Sequence, residues 1–71
     1  MTTTTIKVRE RYHEVEEYII DNRTLIGIER DYYDDELLRE RGIDLTDQGF
    51  NTIDQFIKAL ARLDYELVSI K

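Results

Sequence analysis

The sequence predicts a small α+β domain: a three-stranded antiparallel sheet with two helices packed on one face. Three observations predict this fold class. Segment 51–71 has a helical apolar period that changes into a strand pattern, segment 24–28 is apolar and β-branched, and segment 33–42 has the charge distribution of a short helix. Elements in the order β-β-α-α-β pack most simply as a layer of helices on a layer of sheet.

The length and composition predict one domain over residues 1–71, with residues 1–5 frayed. A chain of this length buries only about 60% of its unfolded surface, so its stability is marginal without a further contribution. Cysteine is absent and histidine occurs once, so neither a disulfide nor a cysteine–histidine metal site supplies that contribution. We therefore expect a homo-oligomer or a partner-bound state, and no cofactor or metal.

The helix predicted after Asn51 is supported by several independent patterns. Apolar residues recur at helical spacing at Ile53, Phe56, Ile57 and Leu60. Thr52 followed three residues later by Gln55 has the form of a capping box. The helix is expected to end near residues 63–64, with its apolar face in the core.

The final segment, Tyr65–Ile70, predicts a strand because it has β-branched and aromatic residues and no helical period. Its apolar side chains fall on both faces of that strand. We therefore expect Leu67, Val68 and Ile70 to be buried, in an inner or covered strand rather than an exposed edge.

Residues 6–20 fit either a strand or a helix. Seven of these fifteen residues are isoleucine, valine or tyrosine, and the turn-forming residues Asp21, Asn22 and Arg23 follow. Since segment 24–28 beyond them is a clear strand, a hairpin is favoured and the helix is the alternative. Gly27 in the second strand predicts a bulge or a close approach of two backbones.

Segment 33–42 predicts a second helix from its charges. Acidic residues fall in the first turn and Arg39 and Arg41 in the last, which matches the helix dipole at both ends. Gly42 fits the position just after the helix.

The net charge of −6, from 16 acidic and 10 basic residues, disfavours direct binding to nucleic acid or to an anionic membrane. The apolar runs fall short of the roughly 18 residues of a transmembrane helix. The first residues lack the basic and apolar regions of a signal peptide, so we expect a cytoplasmic protein.

Eight of the 16 acidic residues lie within residues 29–47. A solvated surface explains most of them, and the spacing of an EF-hand calcium loop is missing. The third interpretation is a surface that binds a basic protein partner, with exposed tyrosines as anchors. The predicted partner-binding residues are Glu29, Asp31, Tyr32, Tyr33, Asp34, Asp35 and Glu36.

Catalytic groups are missing from the sequence. The sequence identifies no apolar pocket around any acidic residue that would separate their pKa values, as acid–base pairs require. His13 and Ser69 are the only histidine and serine, and neither has the context of a nucleophile–base pair. We therefore expect a protein that is not an enzyme.

The leading functional hypothesis is a small acidic protein–protein interaction module, homo-oligomeric, that acts as a regulator or adaptor. Its contact surface is either a sheet edge or the predicted partner-binding segment. The alternative is an acidic inhibitor of nucleic-acid-handling machinery that mimics nucleic acid, as anti-CRISPR and anti-restriction proteins do. A regulatory domain that binds a small molecule or metal is a third hypothesis.

Overall fold

The computed structural model describes residues 2–10, 15–33 and 36–71. Over these residues the fold class is α+β, as predicted, with five strands and one helix. The elements are β1 (Thr3–Glu10), β2 (Val15–Asp21), β3 (Ile26–Tyr33), β4 (Glu36–Asp44), α1 (Ile53–Arg62) and β5 (Tyr65–Ile70). The strands form one antiparallel sheet in the order β4-β3-β2-β1-β5.

The predicted arrangement of three strands and two helices is wrong, because segment 33–42 does not form a helix. Most of it is strand β4, which pairs with β3. Arg39 lies opposite Asp31 and Arg41 opposite Glu29 in this pairing, and both pairs form ion pairs. The arginines that suggested a helix C-terminus therefore neutralise acidic residues on the neighbouring strand.

The prediction of strand over helix for residues 6–20 is confirmed for the described residues, but the segment contains two strands. β1 and β2 pair with each other from Thr3 opposite Asp21 to Arg9 opposite Val15. Residues 3–5, predicted to be frayed, belong to β1. The predicted hairpin around residues 21–23 joins β2 to β3.

The turn between β2 and β3 is built by Asp21 and Leu25. The Asp21 carboxylate accepts a hydrogen bond from the Arg23 N–H at 2.7 Å, and the Leu25 N–H donates to the Asp21 carbonyl at 2.8 Å. The left-handed residue of the turn is Leu25, with φ of 60°. The close approach predicted at Gly27 is confirmed, since a Cβ there would lie 2.1 Å from the Ile19 carbonyl oxygen.

Helix α1 has the predicted cap. The Gln55 N–H donates to Thr52 Oγ1 at 3.1 Å, while Gln55 Oε1 accepts from the N–H of Asn51 at 2.8 Å. The side chain of Gln55 thus reaches one residue further back than in a standard capping box. The helix ends at Arg62, and Asp64 beyond it has φ of 67°.

Helix α1 covers one face of the sheet, and the core lies between them. The core consists of Ile6, Val8, Tyr18, Ile20, Leu25, Leu45, Phe56 and Leu60. Ile53 and Ile57 pack against it, as predicted. Helix α1 is far too short to cross a membrane, and no other helix occurs in the described ranges.

Strand β5 lies at an edge of the sheet, so the predicted inner position is wrong. Its apolar residues Leu67, Val68 and Ile70 are 47–48% exposed, whereas burial was predicted. The strand pattern was correct, but the neighbours of a strand depend on the topology of the whole sheet.

Candidate interaction surface

The side of the sheet away from α1 has no covering element among the described residues. Side chains alternate between the two faces of a strand, so the neighbours of buried, helix-facing residues point away from the helix. In β1 the helix-facing residues are Ile6 and Val8, and in β2 they are Tyr18 and Ile20. The strand register aligns two rows of outward side chains that run without a break from β1 to β4.

The two rows form the centre of a surface that we call the open face, which also includes Val15, Ile26, Tyr32 and Val68 at its ends. The first row is charged and consists of Lys7, Glu17, Arg30 and Glu40 on β1, β2, β3 and β4. The second row is apolar or small and consists of Thr5, Ile19, Ile28 and Gly42 on the same strands.

The charged row is held together by contacts around Glu17, a carboxylate that is only 8% exposed. Tyr32 Oη donates a hydrogen bond to Glu17 Oε1 at 2.9 Å, and a guanidinium nitrogen of Arg30 lies 3.6 Å from the same oxygen. Arg30 also donates through Nε to Glu40 at 2.6 Å. Because the buried carboxylate has a donor and a cation beside it, this polar network is compatible with burial against a further surface.

The second row places apolar side chains on the open face. Ile28 is 40% exposed and lies beside the half-buried Ile19, and Ile26 on the same strand is 52% exposed. Gly42 continues the row, and a Cβ placed there would have nothing within 4 Å. This part of the open face is therefore apolar. At Gly42 on β4, no side chain projects above the backbone.

A shallow depression of about 390 Å³ lies at the other end of the open face, lined by Lys7, Val15, Tyr32 and Val68. Val68 reaches it because the register between β1 and β5 shifts at this point. Lys7 pairs with Ser69 and Val8 pairs with Leu67, which leaves Val68 as an extra residue in β5.

The helix-covered face carries a group of acidic residues at its margin. Glu16, Glu29 and Asp31 have carboxylate oxygens within 4.8 Å of one another. Arg39 Nε binds Asp31 at 2.6 Å, and Arg41 binds Glu29. The two arginines are more than 60% exposed and lie over these two carboxylates, whose side chains are less than 20% exposed.

The third carboxylate of that group, Glu16, has a raised pKa. Burial is the main cause, and the charges of Asp31, Glu29 and Glu10 add to it, while a hydrogen bond from Tyr18 acts in the opposite direction. Burial also raises the pKa of the Tyr18 hydroxyl, and it raises that of Tyr65 to about 12. These three carboxylates are the described residues that best fit a metal ion, although two of them already have cationic partners.

Beside this acidic group, a cleft of about 250 Å³ separates the sheet from the last turns of α1. Its walls include the apolar residues Ile43, Phe50, Leu60 and Leu63, together with Glu29 and Arg41, which form an ion pair. The cleft is therefore lined mainly by apolar side chains and contains one ion pair. The described residues that line it include no serine, threonine, cysteine, lysine or histidine.

The structure separates the residues that were predicted to form one partner-binding surface. Glu29 and Asp31 lie on the helix side of β3, while Tyr32 lies on the open face. Tyr33 and Glu36 pair with each other where β3 and β4 meet. Asp34 and Asp35 lie outside the described residues, as does His13.

Sequence reasoning missed the residues that form the open face. Lys7 and Glu40 are separated by more than thirty positions in the chain, and only the strand register brings them into one row. A local signal existed at Ile26 and Ile28, since alternate apolar residues in a strand fall on one face. Because residues 33–42 were predicted to be a helix, β4 was missing from the predicted sheet. The rows of side chains across β1 to β4 could therefore not be recognised.

Comparison with known proteins adds no family to this geometry. No family model, curated protein or solved structure matches the chain.

Proposed function

We propose that this chain is a small, non-enzymatic protein–protein interaction module that works as a homo-oligomer, with the open face as its contact surface. The observation that carries the proposal is the exposure of Ile26 and Ile28 on a sheet face without a covering element in the described ranges. A sheet stabilises itself by burying its apolar face against another layer. One face has helix α1 for this purpose, and a partner provides the layer for the other.

The size of the open face suits a specific interface. Strands β1 to β4, about 4.8 Å apart and roughly eight residues long, at about 3.3 Å per residue, give a footprint of about 500 Å² before the relief of the side chains is added. A standard interface buries about 800 Å² of accessible surface per partner. These four strands therefore supply more than half of that size from their footprint alone.

The nucleic-acid mimic has less support. That hypothesis needs a row of free negative charges, whereas the side chains of Glu29 and Asp31 lie under Arg41 and Arg39. A phosphate-binding groove would meet exposed guanidinium groups at this position, and like charges repel.

The proposal is tested by the solution mass of the wild-type protein and of Ile28→Lys, measured by sedimentation over a range of concentrations. We expect a wild-type oligomer and a monomeric, folded variant, because a lysine on the open face keeps its charge in water only when the face is uncovered. Leu63→Lys is the matched control, since Leu63 is 66% exposed and lines the cleft beside α1. A wild-type monomer at every concentration, or a variant with unchanged mass, would contradict the proposal.

A further inference from the structure

We infer that the partner of the open face is a second copy of this chain, related by a two-fold axis that runs parallel to the strands, between β2 and β3. The inference rests on the proposed function, because it gives the symmetry axis and the contacts of the homo-oligomer on the same surface. It follows from the order of side chains in the two rows.

The charged row has alternating signs across the sheet. Lys7 is followed by Glu17, Arg30 and Glu40 on successive strands. A two-fold axis between β2 and β3 reverses this order in the second copy. Lys7 then lies opposite the partner's Glu40, and Glu17 lies opposite the partner's Arg30, so that both cations of this row meet an anion.

The apolar row is self-complementary about the same axis. Ile19 lies opposite the partner's Ile28, which brings the apolar side chains of the two copies together. Thr5 lies opposite the partner's Gly42, where the space above the backbone is open. The side chain of Thr5 therefore fills the space above the partner's Gly42, as close packing of two surfaces requires.

At other positions of the axis, opposite charges no longer face each other across the interface. An axis along β2 itself sets Glu17 against its own copy and Lys7 against the partner's Arg30, which pairs like charges. An axis between β1 and β2 leaves Glu40 beyond the edge of the partner's sheet. Only the position between β2 and β3 gives all four charges an opposite partner.

The arrangement is also a common one for sheets. An axis parallel to the strands makes the two sheets pack with nearly aligned strands, about 10 Å apart. Lysine, arginine and glutamate side chains are long enough to meet across this distance. Within the described part of the chain Lys7 has no ion pair of its own, so the partner's Glu40 supplies one.

Charge reversal tests the geometry. In homodimers of Lys7→Glu, two carboxylates meet at each end of the row, and in homodimers of Glu40→Lys, two ammonium groups meet there. We expect each variant to dimerise at least about tenfold more weakly than the wild type. Mixing the two variants restores every opposite pair, so the mixture is expected to form a heterodimer of near wild-type affinity, measured by native mass spectrometry and sedimentation.

A control mixture and the variant Ile28→Lys distinguish an error in the proposed axis from an error in the proposed function. Glu40→Lys also breaks the Arg30–Glu40 ion pair within one chain, so its mixture with Lys58→Glu, whose open face is unchanged, is the control. That heterodimer restores only one of the two Lys7–Glu40 contacts, so it must be weaker than the heterodimer of Lys7→Glu with Glu40→Lys. If neither reversal weakens the dimer, or if the first mixture shows no preference for the heterodimer, this axis is wrong. A wild-type oligomer that Ile28→Lys still disrupts would then leave the proposed function in place.

Discussion

The hydroxyl of Tyr32 donates a hydrogen bond to the carboxylate of Glu17 across 2.9 Å, on the side of the sheet that α1 does not cover. Glu17 lies on the central strand and is only 8% exposed. A buried carboxylate without donors is strongly destabilising, so this bond explains how a charged residue is accommodated at the centre of the open face.

The first prediction concerns this bond. Tyr32→Phe removes the donor and leaves the Glu17 carboxylate under-satisfied, so we expect a loss of about 1–3 kcal/mol in the free energy of unfolding. Urea denaturation at one fixed protein concentration measures it. In a double-mutant cycle with Glu17→Gln, we expect the two substitutions to be non-additive by about 1 kcal/mol. Additive effects would mean that the two side chains do not stabilise each other.

The second prediction compares two glycines on neighbouring strands. A Cβ at Gly27 would lie 2.1 Å from the Ile19 carbonyl oxygen and 2.7 Å from the Cα of Ile20, so the two backbones must separate. We expect Gly27→Ala to cost more than about 2 kcal/mol of stability. Gly42→Ala is the control, measured at a protein concentration too low for the oligomer to form. Its Cβ meets nothing within 4 Å in one chain, so the substitution is expected to change stability by less than about 1 kcal/mol. Equal thermal shifts for the two variants would refute the close approach.

The third prediction concerns the end of α1. Asp64 has φ of 67°, a conformation that glycine adopts without strain, and its negative charge lies at the negative end of the helix dipole. We therefore expect Asp64→Gly to stabilise the protein by about 0.5–1 kcal/mol. Asp64→Ala, which removes the charge but keeps the Cβ, separates the two causes. A thermal midpoint that falls in the glycine variant would contradict the left-handed conformation.

The fourth prediction concerns pH. Because burial and the neighbouring acidic residues raise the pKa of Glu16, the folded protein binds a proton there more tightly than the unfolded chain does. The contribution of this group to stability therefore increases as pH falls through the raised pKa towards 4.5, the ordinary value, and it is unfavourable above that window.

Glu16→Gln removes the titration, while its side-chain oxygen still accepts the hydrogen bond from Tyr18. We expect this variant to be more stable than the wild type at pH 7, and the difference to disappear near pH 4. Thermal midpoints of both proteins across this range isolate Glu16 from other groups, such as Asp44, whose pKa is lowered mainly by a hydrogen bond from Thr46. A difference that is independent of pH would exclude a raised pKa at Glu16.

Helix α1 was predictable because its signals are local. The cap at Thr52 and the apolar residues at Phe56 and Leu60 are read within ten positions, and the structure confirms them. Strand β4 was not predictable by the same means. Arg39 and Arg41 favour a helix end when only neighbours in sequence are considered, and their acidic partners lie on another strand.

Only parts of the open face could be predicted from the sequence. The alternation of Ile26 and Ile28 is a local signal of an apolar strand face, but the alternation of charges depends on which residues lie opposite each other in four strands. The turn at Leu25 and the close approach at Gly27 determine part of that register. Pairing between strands distant in sequence is set by the packing of the whole domain, which local patterns do not encode.

The central claim is that the open face is buried against another molecule of this chain. It is tested most directly on the wild-type protein, by NMR of isoleucine methyl groups with a soluble paramagnetic agent at low and high protein concentration. Ile26 and Ile28 on the open face are 52% and 40% exposed in one chain, and Ile70, which pairs with the helix-facing Ile6, is 48% exposed.

We predict that the agent broadens all three methyl signals in dilute protein. At high concentration the Ile26 and Ile28 signals should become protected while the Ile70 signal stays broadened. Equal broadening of the three signals at every concentration would contradict the claim, because it would show that the open face remains in contact with solvent.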